Sequence, residues 1–391
     1  MGTWSVVVAL PAVQAEFAVK RGGASLPFTL TMIGFALGGV LLGRVADRVG
    51  VMLPVIGGAL SLLLGYAAAS FASSLWQFAL AYGVLIGLFG SAATFVPLLA
   101  DTSHWFDRRR GIAVSICASG NYIAGAFWPP VVEHFIGTVG WRTTHLYIGV
   151  FCVVTMVPLA RLLRRRPPVH GMAGVPAAAR PRLGTLGLRP SVLQAVLAVA
   201  GVSCCVAMSM PQVHIVAYCG DLGYGVARGA QMLSLMLGCG IVSRIGSGFI
   251  VDRIGGLRTL VLGSLAQMTA LVLYLMMDGL TSLYVISALF GLFQGGIVPS
   301  YAIIIRECFP ARETGTRVGI VMMATLFGMA LGGWMSGWIF DLTGSYRAAF
   351  ANGIAWNLLN ALIALWLLLK TLPRYAWNRA AQRIDAPEAG G

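Results

Sequence analysis

The fold class this sequence predicts is an all-α, polytopic membrane protein of two similar six-helix halves, and three observations predict it. The first is composition. Of 391 residues, 58% are hydrophobic and only 10% charged, with a mean hydropathy of +0.83, whereas a soluble domain spends about 25% of its residues on charge. The second is that the apolar residues fall in runs long enough to cross a bilayer, which takes about 20 residues per helix. The third is an internal repeat. Gly43-Arg44-Val45-Ala46-Asp47-Arg48-Val49-Gly50 returns as Gly248-Phe249-Ile250-Val251-Asp252-Arg253-Ile254-Gly255, at a constant offset of 205 residues.

Taken in order, the chain opens with a short apolar piece, Thr3 to Val13, about half a span. It lacks the basic leader and small-residue cleavage site of a signal peptide. It therefore reads as a first helix whose beginning is cut off, and eleven full spans plus this half are expected. The full runs fall at about 27–46, 51–72, 75–100, 111–136, 141–163, 191–217, 227–248, 257–277, 280–305, 316–341 and 347–371. None alternates every second residue, so a membrane β-barrel is excluded. The repeated hairpin follows the second helix and the eighth. A second repeat, at an offset of 208, carries Gly111-Ile112, Gly120 and Gly125 onto Gly319-Ile320, Gly328 and Gly333. The domain reading is residues 1–163 as the N-terminal half, 164–190 as a linker rich in Pro, Gly, Ala and Arg, 191–371 as the C-terminal half and 372–391 as a tail. An even number of helices per half makes the repeats parallel, related by an axis along the membrane normal.

The net charge of +14 does not point to nucleic acid, because the basic residues sit in short loops between apolar runs. With both hairpins on the cytoplasmic side, 21 of the 27 Lys and Arg lie on that side and five on the other, while Arg244 lies inside a span. That bias is what membrane topology demands. The seven cysteines lack metal-ligand spacing, and adjacent Cys204-Cys205 in an apolar run read as small hydrophobes. With no G-x-x-x-x-G-K-[ST] loop and no soluble domain to hold one, nucleotide hydrolysis within this chain is excluded. Nothing here predicts an enzyme, a metal or a cofactor.

Arg244 is the residue that most needs a partner. Arg is effectively always protonated, and a charge at mid-bilayer costs at least a few kcal/mol. All 13 acidic residues lie in loops, tails or span ends. A substrate carboxylate is one answer, since the guanidinium fork grips it with two bonds; snorkelling toward the loops or bonding backbone carbonyls is the other. His214, after Pro211, suits either proton coupling or helix packing. Asn121, Tyr122 and Gln294 are mid-depth polar groups that either bond a substrate or pin helices together, and Trp4 is a candidate cavity-lining ring. The glycine rows Gly34/Gly38, Gly39/Gly43, Gly328/Gly332 and Gly333/Gly337 have the spacing that lets two helix backbones approach closely.

Two six-helix halves, a basic central loop and a duplicated G-x-x-x-D-R-x-G hairpin resemble the major facilitator superfamily. Within it, His104-Trp105-Phe106-Asp107-Arg108-Arg109-Arg110-Gly111-Ile112-Ala113, Ser119-Gly120, and Arg244 four residues before Gly248 resemble the monocarboxylate-porter and oxalate/formate-antiporter branch. Two departures stand out. The acidic residue that branch often carries one turn before the arginine is Gly240 here, and its first-helix lysine falls near Val6. The resemblance implies a monomeric secondary transporter of a small organic anion, working by alternating access with proton symport or anion exchange, in a bacterial inner membrane. A neutral or cationic cargo, or a non-transporting sensor, are its alternatives. It also implies that helices 2 and 11 touch when the hairpin side is shut. Gly43, Asp47, Arg48 and Gly50 with Gly248, Asp252, Arg253 and Gly255 then form a latch, Asp47 accepting from the N–H groups that open helix 11.

Overall fold

A computed structural model describes residues 2–105, 110–164 and 188–384. Residues 106–109 of the fifth-helix motif, linker residues 165–187 and tail residues 385–391 lie outside the described set. Six helical segments precede the linker. They are α1 (Gly2–Glu16), α2 (Leu26–Val49, led by a single turn Arg21–Ala24), α3 (Met52–Ser70), α4 (Leu75–Leu80, a π-helical stretch Ala81–Ser91, then Val96–Trp105), α5 (Arg110–Val139) and α6 (Trp141–Ala160). Six follow it: α7 (Pro190–Asp221), α8 (Val226–Ile254), α9 (Gly256–Met276), α10 (Leu280–Gln294, then Ile297–Cys308), α11 (Ala311–Thr343) and α12 (Tyr346–Ile384). Among the described residues there is no strand, and nine helices are long and apolar enough to cross a membrane. At 1.5 Å per residue, the 15 residues of α1 span about 22 Å, short of the roughly 30 Å hydrocarbon core.

α2 and α8 outrun the apolar stretches that predict them, because the hairpin residues stay helical. Both hairpins end in the same way. Gly50 and Gly255 each sit at φ +86°, and each N–H donates to the carbonyl four residues back, Ala46 and Val251, at 2.8 Å. Positive φ strains any residue with a Cβ, so the duplicated glycine is a requirement of the duplicated turn.

The glycine rows pack differently from expectation. Gly34 and Gly38 place α2 against the α4 carbonyls of Gly83 and Leu88, and Gly328 and Gly332 place α11 against Val202 and Val206 of α7. These are contacts within a half. Gly333 and Gly337 face across, toward Phe28 and toward Ser25 and Arg21. The N-terminal half is further pinned by a buried chain of hydroxyls. Ser5 Oγ lies 2.8 Å from the Tyr66 hydroxyl and 3.2 Å from that of Tyr82. Tyr82 donates to His145 Nε2 at 2.6 Å, and His145 Nδ1 donates to the Trp141 carbonyl at 2.6 Å. It joins α1, α3, α4 and α6, leaving none of the three buried hydroxyls unpaired.

The halves meet on the side away from the hairpins. There Thr29 Oγ1 donates to the Ala330 carbonyl at 3.1 Å, and Gly337 lies against Ser25. Toward the hairpins they part. A Cβ at Gly246, Gly248, Gly315 or Gly319 would meet nothing within 4 Å. Asp47, Arg48, Asp252 and Arg253 are exposed and make no ion pair among the described residues. In this state the molecule opens toward its hairpins, away from the arrangement in which a latch would form.

Candidate functional site

Arg244 sits in α8 where that helix crosses α5, half-buried. Its guanidinium carbon lies 4.8 Å from the centroid of the Tyr122 ring, and Nη1 donates to the Ala118 carbonyl at 3.4 Å. Nε is buried without a partner. The Tyr122 ring in turn rests on Gly240, where a Cβ would stand 2.6 Å from Cε1 and 2.7 Å from Cδ1. The missing acid at position 240 thus has a steric cause: an aromatic face occupies the space a carboxylate side chain would need. The exchange matters energetically. A cation over a ring gains about 0.5–2 kcal/mol, less than the roughly 2.5–3.5 kcal/mol that placing an arginine at mid-membrane costs. The balance falls to water in the open cavity or to an anion.

The same crossing gathers three other candidates. Trp4 of α1 is buried and its Nε1 donates to the Asn121 carbonyl at 3.3 Å. Its indole also lies 2.8 Å from where a Cβ on Gly125 would be, so a glycine there admits the ring. Trp4, Asn121, Tyr122 and Arg244 therefore line one seam formed by α1, α5 and α8. Gln294 lies at the same depth on the other side of α8, since a Cβ on Gly295 would meet the Gly240 carbonyl at 2.7 Å and the Arg244 nitrogen at 2.8 Å. Its side chain turns away to α7, accepting from Gln212 Nε2 at 2.8 Å. Gln212 Oε1 and Gln294 Nε2 are buried without partners. Gln212 went unrecognised in the sequence; a lone amide in the apolar stretch after Pro211 was its signal.

His214 is not brought to this seam. It is fully buried, with Nε2 donating to the Gly333 carbonyl at 2.8 Å and Nδ1 accepting from the Tyr346 hydroxyl 3.1 Å away. Both ring nitrogens are used in holding α7, α11 and α12 together.

The side away from the hairpins holds the other group that sequence reasoning missed. The backbone N–H groups of Arg21 and Gly22 donate to Asp341 Oδ1 and Oδ2, both at 2.7 Å. A carboxylate from the end of α11 thereby caps the turn that leads into α2, where the helix dipole is positive. The Arg21 side chain, only 8% exposed, donates through Nη2 to both oxygens of Asp221 at 2.8 and 3.0 Å. Its guanidinium also lies 4.9 Å from the Phe340 ring centroid. These contacts join the two halves. Nearby, Glu16 Oε1 accepts from Arg142 Nη2 at 2.6 Å, and the Trp141 indole donates to Glu16 Oε2, all within the N-terminal half. Among the described residues no group of His, Cys, Asp or Glu is arranged to hold a metal.

Comparison with known proteins gives these features a context. A family model described as Major Facilitator Superfamily matches residues 1–283 and 258–390. Monocarboxylate transporter 13 of Bos taurus is 29% identical over 358 residues, covering 90% of this chain and 80% of that protein. The MFS-type transporter pynF of Aspergillus niger is 25% identical over 290 residues, covering 73% and 65%. Among solved structures, the nucleoside transporter NupG superposes with a TM-score of 0.67 at 16% identity, over 96% of this chain and 95% of that one. A bacterial homolog of the human lysosomal transporter Spinster, in an inward-facing and occupied conformation, gives 0.63 at 15%, over 95% and 93%. At such identities the structural likeness speaks for the fold alone.

Proposed function

Because this chain belongs to the Major Facilitator Superfamily and is a multi-pass membrane transporter, not an enzyme, we propose that its cargo is a small organic anion, a monocarboxylate or related carboxylate. One observation carries the reading. Arg244 has a permanent charge at the seam between the halves, an aromatic face where a resident acid would stand, and a single weak hydrogen bond among five N–H donors. A substrate carboxylate supplies the missing acceptors and the missing charge, with Asn121 and Trp4 beside it and Gln294 behind α8. The relative named as a monocarboxylate transporter points the same way.

The halves, residues 1–163 and 191–371, rock about this seam, joined by the 164–190 linker and followed by the 372–391 tail. We place hairpins, linker and tail in the cytoplasm of a bacterial cell from the loop-charge bias, so the state described above is inward-open. The two ends of the α2–α11 contact act reciprocally. Here Asp341 caps the α2 entry turn while Asp47 is exposed; in the outward-open state Asp47 caps the start of α11, and Arg48 and Arg253 tie the hairpins Gly43–Gly50 and Gly248–Gly255 to Asp101, Glu307 or Glu313. With no acid beside Arg244 among the described residues, the coupled proton travels on the substrate or a counter-anion replaces it. The test is uptake of a carboxylate panel into proteoliposomes, with and without a pH gradient. Carboxylate-dependent exchange or pH-driven uptake is expected; transport confined to neutral or cationic solutes overturns the reading.

A further inference from the structure

The 205-residue offset that relates the hairpins also relates the opposite face. It carries Glu16 onto Asp221, Trp141 onto Tyr346 and Arg142 onto Arg347. In the N-terminal half these three residues form a closed group, the carboxylate held by the arginine at 2.6 Å and by the indole. In the C-terminal half the group is the same in kind but not closed. Asp221 instead reaches across the halves to Arg21. Arg347 is exposed and makes no ion pair among the described residues.

The C-terminal group nonetheless lies within one half. Tyr218, one turn before Asp221, meets Tyr346 edge to face with ring centroids 5.3 Å apart, which fixes the end of α7 beside the start of α12. Asp221 and Arg347 flank that ring pair in one half, whereas Arg21 belongs to the other. When the halves separate on this face, Arg21 must leave, and Asp221 then has a basic partner in its own half in the position its repeat counterpart already uses.

We propose that Asp221 exchanges partners during transport, pairing with Arg21 across the halves in the state seen here and with Arg347 within its half once this face opens. The exchange rests on the alternating-access reading. It makes one carboxylate count toward both end states, so that opening does not simply discard an ion pair. Removing either arginine then biases the equilibrium in opposite directions, although both carry the same charge on the same face.

The experiment uses full-length protein in lipid nanodiscs, its seven cysteines retained, with spin labels on unnatural amino acids at Ser73 and Thr281. Both positions are exposed and lie on this face in opposite halves. Pulsed electron–electron resonance reads the ratio of long to short distances. Arg21→Gln is expected to raise the ratio by more than about fivefold, since that arginine is mostly buried, and Arg347→Gln to lower it by about two- to fivefold, with Arg347→Lys restoring most of the loss. In an Asp221→Asn background Arg347→Gln is expected to have no further effect. An unchanged or raised ratio in Arg347→Gln, with two distances still present in the parent, overturns the exchange alone. A single distance in every variant overturns it together with alternating access.

Discussion

Replacing Asp341 with Asn should open the face that Asp341 closes. In the state described here each carboxylate oxygen takes one backbone N–H, from Arg21 and from Gly22, at 2.7 Å. Asparagine keeps one acceptor and turns an NH2 donor toward the second N–H, so at least one charge-assisted bond is lost with the charge. Hydrogen bonds to charged groups, this one at a helix start included, are worth about 1.5–3 kcal/mol. Since the other state makes no use of this contact, the loss appears almost entirely in the equilibrium between states, about ten- to a hundredfold at 1.4 kcal/mol per decade. Ala330, buried where α11 meets α2, reports it. A cysteine placed there should react with a membrane-impermeant maleimide about ten- to a hundredfold faster in the Asp341→Asn background, once labelling of the native cysteines is subtracted. An unchanged or slower rate would refute the reciprocal capping of α2 and α11.

Further consequences concern the same packing. Gly337→Val puts a Cβ 2.8 Å from Ser25 Oγ and 2.9 Å from the Arg21 carbonyl oxygen; this face should fail to shut, and uptake should fall below a tenth of the parent at equal membrane levels. Tyr122→Phe keeps a ring under Arg244 and should retain anion affinity, whereas Tyr122→Leu should weaken it about two- to thirtyfold in a binding titration, the range of a cation–π contact. Gly240→Ala displaces the same ring, so its effect should not add to that of Tyr122→Leu. His214→Gln should lower thermal stability yet leave the pH profile of uptake unmoved, because both ring nitrogens serve packing bonds.

The spans were legible because a bilayer forces them: each needs about 20 apolar residues, and the observed helices follow the predicted runs to within a few residues at most ends. The duplicated hairpin was legible because a positive φ at Gly50 and Gly255 leaves little choice of residue. Arg244 stood out because no other charge lay within a span. What could not be read were partners distant in sequence. Nothing in Gly34 or Gly38 says whether α4 or α11 is the neighbour; the spacing fits any close helix. Arg21 looked like a loop residue, and its burial follows only from Asp221 and Asp341, 200 and 320 residues away. Asp47, Arg48, Asp252 and Arg253 stand exposed here, and the proposed latch needs another arrangement of the halves.

The central claim is that Arg244 holds the anionic group of the cargo. The measurement is initial uptake of the best carboxylate from the panel into proteoliposomes carrying Arg244→Gln or Arg244→Lys, at matched protein levels and limiting substrate. Loss of two charge-assisted bonds, about 1.5–3 kcal/mol each, predicts uptake by Arg244→Gln at least a hundredfold below the parent. Arg244→Lys should rescue only partly, since an ammonium cannot reproduce the bidentate fork. Unimpaired carboxylate uptake by Arg244→Gln would contradict the account.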